Sequence, residues 1–247
     1  MAQKRVRLIV AYDGTNYHGW QVQNNGITIE SELNRCLSEL LGEPIEVIGA
    51  SRTDAGVHAL GNVAVFDTSA RMPAEKISYA LNQRLPEDIR IQRSEEVPAD
   101  WHPRYCDSRK TYESRIYRGE FPLPTKRLYS LFTYYKLDVE KMQEAGAYFV
   151  GEHDYKSFCQ VNAQVKTTVR TVTAVRVYEE GPDVIIQVTG NGFLYNMVRI
   201  MAGTLLEVGR GNRSPQEIPD MIAACNREAA GPTAPAHGLT LIKYEFL

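Results

Sequence analysis

The sequence predicts an α+β protein made of two similar halves. In each half, stretches with the alternating pattern of strands and stretches with the helical period follow one another in the order β-α-β-β-α-β. That order is the split βαβ, or ferredoxin-like, unit. We therefore expect one α+β domain over residues 1–103 and a second over 104–247, joined near 98–106.

In the first half, a helix begins after Thr28 and carries apolar residues at helical spacing until Gly42 and Pro44 end it. Pro73 opens a second helix, which stops before Pro86. Strands are expected at 4–12, 45–51, 61–67 and 89–97.

The second half has the same plan. A helix is expected over 138–150 with Asp138 as its N-cap, another runs from Leu194 to Val208, and a third begins at the capping-box spacing of Ser214. Strands are expected at 107–118, 170–179, 183–190 and 239–246.

The overall charge does not favour a nucleic-acid partner, because 28 basic and 30 acidic side chains leave a formal net charge of −2. The distribution is more informative. Between Arg104 and Arg127 the chain has seven Lys or Arg and only three acids, so one face can still attract phosphates.

Bulk features indicate a cytoplasmic protein with reduced thiols. The four cysteines are scattered without a CxxC pair, and no apolar run approaches the roughly 20 residues that span a bilayer. Neither a zinc site nor a membrane segment is expected.

The segment SRTDAGVHALGNVAVF carries the candidate nucleophile, Asp54, in a turn that contains Gly56. Arg52 projects to the same side if the chain is extended there, and a nearby cation keeps a carboxylate ionised. An ionised, partly desolvated carboxylate is what covalent catalysis needs. Taken alone, such an Asp more often caps its own turn, and His58 more often bonds the turn than acts in catalysis.

Other chemistries fit the residues less well. A glycosidase needs a second carboxylate, and none is near Asp54 in the sequence, although one could come from elsewhere in the fold. Asp54-Ala55-Gly56 lacks the hydroxyl of the aspartic-protease pattern, and the five histidines show no metal-ligand spacing. A single carboxylate acting without metal or cofactor is the simplest hypothesis.

At the level of motifs, the chain resembles the tRNA pseudouridine synthase A (TruA) family along nearly its whole length. The blocks that carry the resemblance are YDGTNYHGWQVQ, SRTDAGVHALGNVAVF, LNQRLPEDI, HPRYCDSRKTYESRIY, NGFLYNMVRIMAGTLLEVGRG and TAPAHGLTLIKYEF. They place Asp54 at the position of the nucleophile, Tyr112 at the active-site tyrosine and Arg199 at the active-site arginine. The segment 158–168 departs from the family pattern.

The resemblance implies a pseudouridine synthase fold, in which two ferredoxin-like halves join their antiparallel or mixed sheets around a cleft lined by Asp54, Tyr112 and Arg199. It also implies a homodimer that binds transfer RNA and isomerises uridines of the anticodon stem-loop, positions 38–40, without metal or organic cofactor. Asp54 would attack C1′ of the ribose or C6 of the base, and the sequence does not choose between them.

Roles for the other residues follow from the chemistry of a flipped base. Tyr112 would stack on the base and could assist removal of the C5 proton, and Arg199 could hold Asp54 ionised. Arg52 would fill the gap in the RNA stack or grip phosphates. The basic residues expected to bind the substrate are Arg52, Lys110, Arg115 and Arg170.

Two rival hypotheses remain. Ferredoxin-like units also serve as non-catalytic RNA-binding modules, which would not need Asp54. A related synthase with another uridine target would share the catalytic residues but modify a different part of the RNA.

Overall fold

The computed structural model describes residues 3–160 and 166–247. The chain divides into two compact units: unit 1 is Met1–Ser108 with Leu241–Leu247, and unit 2 is Arg109–Thr240. The proposed domains, 1–103 and 104–247, remain a prediction; the compact units divide after Ser108, and Leu241–Leu247 are assigned to unit 1. Residues 161–165 of the divergent segment 158–168 lie outside the described residues.

Unit 1 has the predicted order β-α-β-β-α-β. The elements are β1 (Lys4–Tyr12), α1 (Ile29–Leu41), β2 (Ile48–Gly49), β3 (His58–Thr68), α2 (Ala74–Leu81) and β4 (Ile89–Val97). The strands are antiparallel neighbours in the order β4-β1-β3, and β2 pairs with β3.

The local chemistry of unit 1 explains these bounds. The α1 helix begins where the Ser31 amide donates to Thr28 Oγ1 (3.2 Å), while the Thr28 amide donates to Ser31 Oγ (3.0 Å). Its apolar stripe, which includes Leu33 and Leu37, is buried. Burial of apolar surface in the helices and in alternate residues of β1 forms the core of this unit.

Unit 2 adds two short strands to the expected order. The elements are β5 (Ser108–Arg118), β6 (Leu131–Thr133), α3 (Val139–Ala147), β7 (Gly151–Asp154), β8 (Val169–Glu180), β9 (Asp183–Gly190), α4 (Met197–Gly209) and α5 (Ile218–Ala223). The main strands are antiparallel in the order β5-β9-β8-β7, and the three-residue β6 pairs in parallel with β5.

The two longest helices of unit 2 are α3 and α4. Asp138 caps α3 as expected, but the helix ends at Ala147, short of residue 150. The α4 helix is the most deeply buried element of the unit, and its apolar residues form the core. The chain closes on β10 (Leu239–Phe246), most of which belongs to unit 1, where it lies beside β3.

Over the described residues, no helix has the length and apolar character needed to cross a membrane.

Candidate active site

Asp54 begins a tight turn between β2 and β3. The Val57 amide donates to the Asp54 carbonyl at 3.1 Å, and Gly56 has a φ of +77°. A type II turn requires this left-handed conformation at its third residue, where glycine is favoured because it has no Cβ. The turn leaves the Asp54 side chain half-buried.

The glycine-rich loop at 13–20 supports that turn from one side. The Gly56 amide donates to the Tyr17 carbonyl (3.3 Å), and the Trp20 amide donates to the Thr53 carbonyl (3.0 Å). A side chain at Gly14 would collide with the carbonyl of Val57, so the close approach of the two backbones requires glycine there. The first block of the family resemblance therefore has a structural role, which is to hold the Asp54 turn.

Buried polar side chains support the turn from the sheet. Asn62 is fully buried on β3, and its Nδ2 donates to the Ser51 carbonyl (3.0 Å) and to the Tyr12 hydroxyl (3.3 Å). The Tyr12 hydroxyl shares a further hydrogen bond with Thr53 Oγ1 at 2.7 Å. Burial raises the pKa of Tyr12 and keeps it neutral. These bonds fix Ser51 and Thr53, two of the three residues that precede Asp54.

His58, which we expected to bond the turn, contacts the neighbouring loop at 13–20. It is buried, and its Nδ1 lies 3.1 Å from the Gly14 amide and 3.0 Å from Asp13 Oδ1. One nitrogen cannot accept from Gly14 and donate to Asp13 at the same time. In either tautomer, however, Nδ1 links His58 to the loop at 13–20.

Two arginines of unit 1 lie close to each other beside the turn. Arg52 is exposed, and Arg104 donates from Nε to the Gly49 carbonyl at 2.8 Å. Burial, and then the positive charge of Arg52, lowers the pKa of Arg104. The sequence placed Arg104 in a basic run but did not assign it to the site, although Arg104 belongs to the HPRY block of the family resemblance. In the same block, Tyr105 is 86% exposed and stacks on His102.

In unit 2, Tyr112 lies on β5 and is only 7% exposed. Its ring meets the ring of Phe193 edge-on, with centroids 5.4 Å apart. Lys110 lies two residues earlier on the same face of the strand and pairs with Gly190, where β9 ends. The loop at 191–196 follows β9, and through Phe193 it contacts Tyr112.

Arg199 is held at the other end of that loop, in the first turn of α4. Its Nη1 donates to Asn196 Oδ1 at 2.7 Å, and its Nε donates to the Ala234 carbonyl at 2.8 Å. The Ala234 amide donates in return to the Arg199 carbonyl at 3.0 Å. The TAPAHG block thus places a carbonyl against the guanidinium.

Arg170 also borders the loop at 191–196. Its Nη1 donates to the carbonyls of Thr167 (3.0 Å) and Val169 (2.6 Å), and its side chain passes beside Gly192. Burial lowers its pKa. The structure therefore places Tyr112, Arg170 and Arg199 around one loop of unit 2.

Arg115, which we expected to bind the substrate, lies among carboxylates. It lies on the opposite face of β5 from Tyr112, and it pairs with Glu113 (3.0 Å), Glu180 (2.7 Å) and Asp183 (2.9 Å). Three carboxylates around one guanidinium do not favour a phosphate contact. Two more cations of the basic run pair with acids of the β8–β9 hairpin: Arg118 with Glu179 and Lys126 with Asp183.

No group of three or more metal-ligating side chains occurs among residues 3–160 and 166–247. The four cysteines are free thiols, and two of them, Cys36 and Cys159, are buried.

A model of the family described as "tRNA pseudouridine synthase" matches residues 8–106 and 145–246, which is most of the chain. The chain belongs to the tRNA pseudouridine synthase family. It is therefore an enzyme of the isomerase class that modifies tRNA, and the resemblance drawn from the motifs is confirmed.

Curated relatives cover nearly the full length. Proteins named "tRNA pseudouridine synthase A" from Acetivibrio thermocellus and Ruminiclostridium cellulolyticum are each 48% identical, and the matches cover 97% of this chain and 98% of each relative. The protein of that name from Geotalea uraniireducens is 47% identical over the same shares. The α+β class expected from the sequence agrees with membership of this family.

Proposed function

We propose that this synthase converts uridines 38–40 of the tRNA anticodon stem-loop to pseudouridine, with Asp54 as the nucleophile. The observation that carries the proposal is the presentation of Asp54. A half-buried carboxylate occupies a turn that glycines shape, and backbone and buried side-chain hydrogen bonds hold it in place. A carboxylate that only caps a turn does not need these additional hydrogen bonds. A nucleophile that must be held in a fixed position does need them.

The chemistry needs no redox partner. The N1–C1′ bond of uridine breaks, a C5–C1′ bond forms, C5 loses a proton and N1 gains one. Asp54 attacks either C1′, which releases the base, or C6, which forms an adduct of the base; both routes regenerate the carboxylate. The target base is flipped out of the RNA before the reaction, at a cost of a few kcal/mol.

Residues of unit 2 would complete the site. Tyr112, whose ring Phe193 contacts edge-on, stacks on the flipped base in this proposal, and its hydroxyl assists removal of the C5 proton. Arg199 supplies a positive charge that favours the ionised form of Asp54. The requirement for this proposal is that Asp54, Tyr112 and Arg199 meet in one cleft when tRNA is bound.

Substrate contacts are divided between the units. Arg52 and Arg104, two neighbouring cations beside the Asp54 turn, bind RNA phosphates. Lys110 and Arg170 extend the basic surface near Tyr112. We assign Arg115 instead to the ion-pair network that fixes the β8–β9 hairpin.

The synthase acts as a homodimer in the cytoplasm, where its tRNA substrate is found. Support for a dimer comes from the family resemblance and from exposed aromatic side chains in unit 2, since tyrosines are enriched at protein interfaces. Phe121 is 72% exposed, Tyr134 67% and Tyr135 45%. Sedimentation should give twice the 27.9 kDa chain mass; a monomer that is fully active would contradict the dimer.

A mapping experiment tests the substrate. Unmodified tRNA transcripts are incubated with the protein, and pseudouridine is located at single-nucleotide resolution. A transcript in which uridines 38–40 are replaced by cytidine is the matched control. We expect product at 38–40 and none in the control transcript. Product elsewhere would identify a synthase with another target, and no product on any tRNA would leave only RNA binding.

A further inference from the structure

Asn196 is the N-cap residue of α4 and one of two non-glycine residues with positive φ among those described. Its φ is 60° and its ψ is 5°, the left-handed conformation. Asparagine tolerates this region better than most residues, but it is still strained relative to glycine. A cap residue normally accepts a hydrogen bond from the helix backbone, whereas the Asn196 side chain makes no such bond.

The side chain of Asn196 is used elsewhere. Its Oδ1 accepts from Arg199 Nη1 at 2.7 Å, and its Nδ2 donates to Gln160 Oε1 at 3.3 Å. The Gln160 amide in turn donates to the carbonyl of Tyr195, next to Asn196 in the chain, at 3.1 Å. Asn196 thus has a left-handed backbone conformation, and its side chain contacts Arg199 and not the helix backbone.

The second contact that fixes Arg199 is rigid. Nε donates to the Ala234 carbonyl, and the Ala234 amide bonds the Arg199 backbone, so this loop and the helix start are tied together in both directions. A guanidinium is planar, and two hydrogen bonds at different nitrogens set both its position and its plane.

We propose that Asn196 is a positioning residue, which together with the Ala234 carbonyl sets the orientation of the Arg199 guanidinium for the reaction. The inference rests on the proposed function, because Arg199 takes part in catalysis only under that proposal. Asn196 acts through Arg199 and does not contact the substrate. Loss of its acceptor removes the bond at Nη1 and allows the guanidinium plane to turn about the bond from Nε to Ala234.

Substitution by glycine separates this role from folding. In Asn196→Gly the backbone conformation becomes unstrained while the acceptor for Arg199 is lost. We expect an unchanged or higher Tm, an unchanged KM for tRNA and a kcat lower by about 10- to 100-fold, as when a supporting contact is removed from an active-site group. A purely structural role predicts no loss of kcat in this variant.

Two further variants complete the test. Asn196→Asp keeps an acceptor at the same atom, and Gln160 can rotate its amide to donate to it, so most of the lost kcat should return. Cys225 is the other non-glycine residue with positive φ, at 46°, and Cys225→Gly is the matched control. It should retain the kcat of the wild type.

The results for these variants separate the positioning role of Asn196 from the proposed function. A wild-type kcat in Asn196→Gly, a loss seen only in KM, or an equal loss in the Gly and Asp variants would overturn the positioning role. If the wild-type protein makes no pseudouridine on any tRNA, the proposed function fails and this inference fails with it. Activity in the wild type and in Asn196→Gly alike would reject the inference alone.

Discussion

The buried amide of Asn62 provides a direct test of how the Asp54 turn is held. In Asn62→Ala, the Ser51 carbonyl loses its donor at 3.0 Å, and Tyr12 loses one of its two side-chain partners. Ser51 is 5% exposed, so water cannot readily replace the amide. An unpaired buried group costs about 1–3 kcal/mol, and with the lost packing we expect a destabilisation of about 2–4 kcal/mol.

This magnitude corresponds to a measurable change in melting temperature. In a protein of this size, 1 kcal/mol lowers Tm by about 2–4 °C, so Asn62→Ala should melt about 4–16 °C below the wild type. Because the turn before Asp54 also loses its anchor, kcat should fall by about 10- to 100-fold at a temperature where the variant is fully folded.

The matched control is Asn82, whose side-chain amide also bonds backbone groups of a neighbouring strand. Its Nδ2 donates to the Ile91 carbonyl (2.9 Å) and its Oδ1 accepts from the Ile91 amide (2.8 Å), which joins the end of α2 to β4. Asn82→Ala should lose a similar amount of stability and keep its kcat. Thermal unfolding and single-turnover assays measure the two quantities. If Asn62→Ala is as active as Asn82→Ala, the amide does not position the nucleophile.

Two other predictions concern charge. Arg104→Ala should weaken tRNA binding and reduce the slope of log Kd against log salt concentration by about one. The control Arg93→Ala removes an exposed cation paired with Glu95 and should change neither quantity. Equal slopes in the wild type and Arg104→Ala would exclude a phosphate contact by Arg104. Hydrogen bonds from Ser69, and then from Thr68, lower the pKa of Glu43 below its ordinary 4.5. A carboxyl group with a lowered pKa stabilises the fold at pH values above its ordinary pKa, and this contribution is lost as the pH falls through its pKa in the folded protein. The difference in the free energy of unfolding between the wild type and Glu43→Gln should therefore shrink in acid. Denaturant unfolding at pH values from about 3 to about 7 measures this difference, and a constant difference would contradict the prediction.

Most of the fold could be predicted from the sequence, because its longer elements have strong periodicity and clear ends. The predicted bounds of β1, β4 and β10 match those observed, and Thr28 and Gly42 flank α1 as expected. The strands β6 and β7 were missed because three or four residues are too few to show a period of two.

The candidate site was only partly predictable. The turn at Asp54 could be predicted from the sequence, but the ion-pair partners of the basic residues between Arg104 and Arg127 could not. Arg115 and Lys126 meet acids that come from a hairpin more than fifty residues later in the chain, and only the fold shows this. Strand alternation alone could have shown that Arg115 and Tyr112 face opposite sides of β5.

The contacts of Asn196 and Ala234 with Arg199 were not predictable at all. The left-handed backbone of Asn196 and the approach of the loop at Ala234 depend on tertiary packing, and neither residue type signals the interaction in the sequence.

The most direct test of the account is the substitution Asp54→Asn, assayed for tRNA binding and for pseudouridine in the same preparation. Asparagine is nearly the same size but is not a nucleophile, so the turn should persist, the Kd for tRNA should remain that of the wild type, and product should fall to background. Asp100→Asn, at an exposed carboxylate of the same unit, is the control and should form product normally. Pseudouridine formation at the wild-type rate by Asp54→Asn would contradict the central claim.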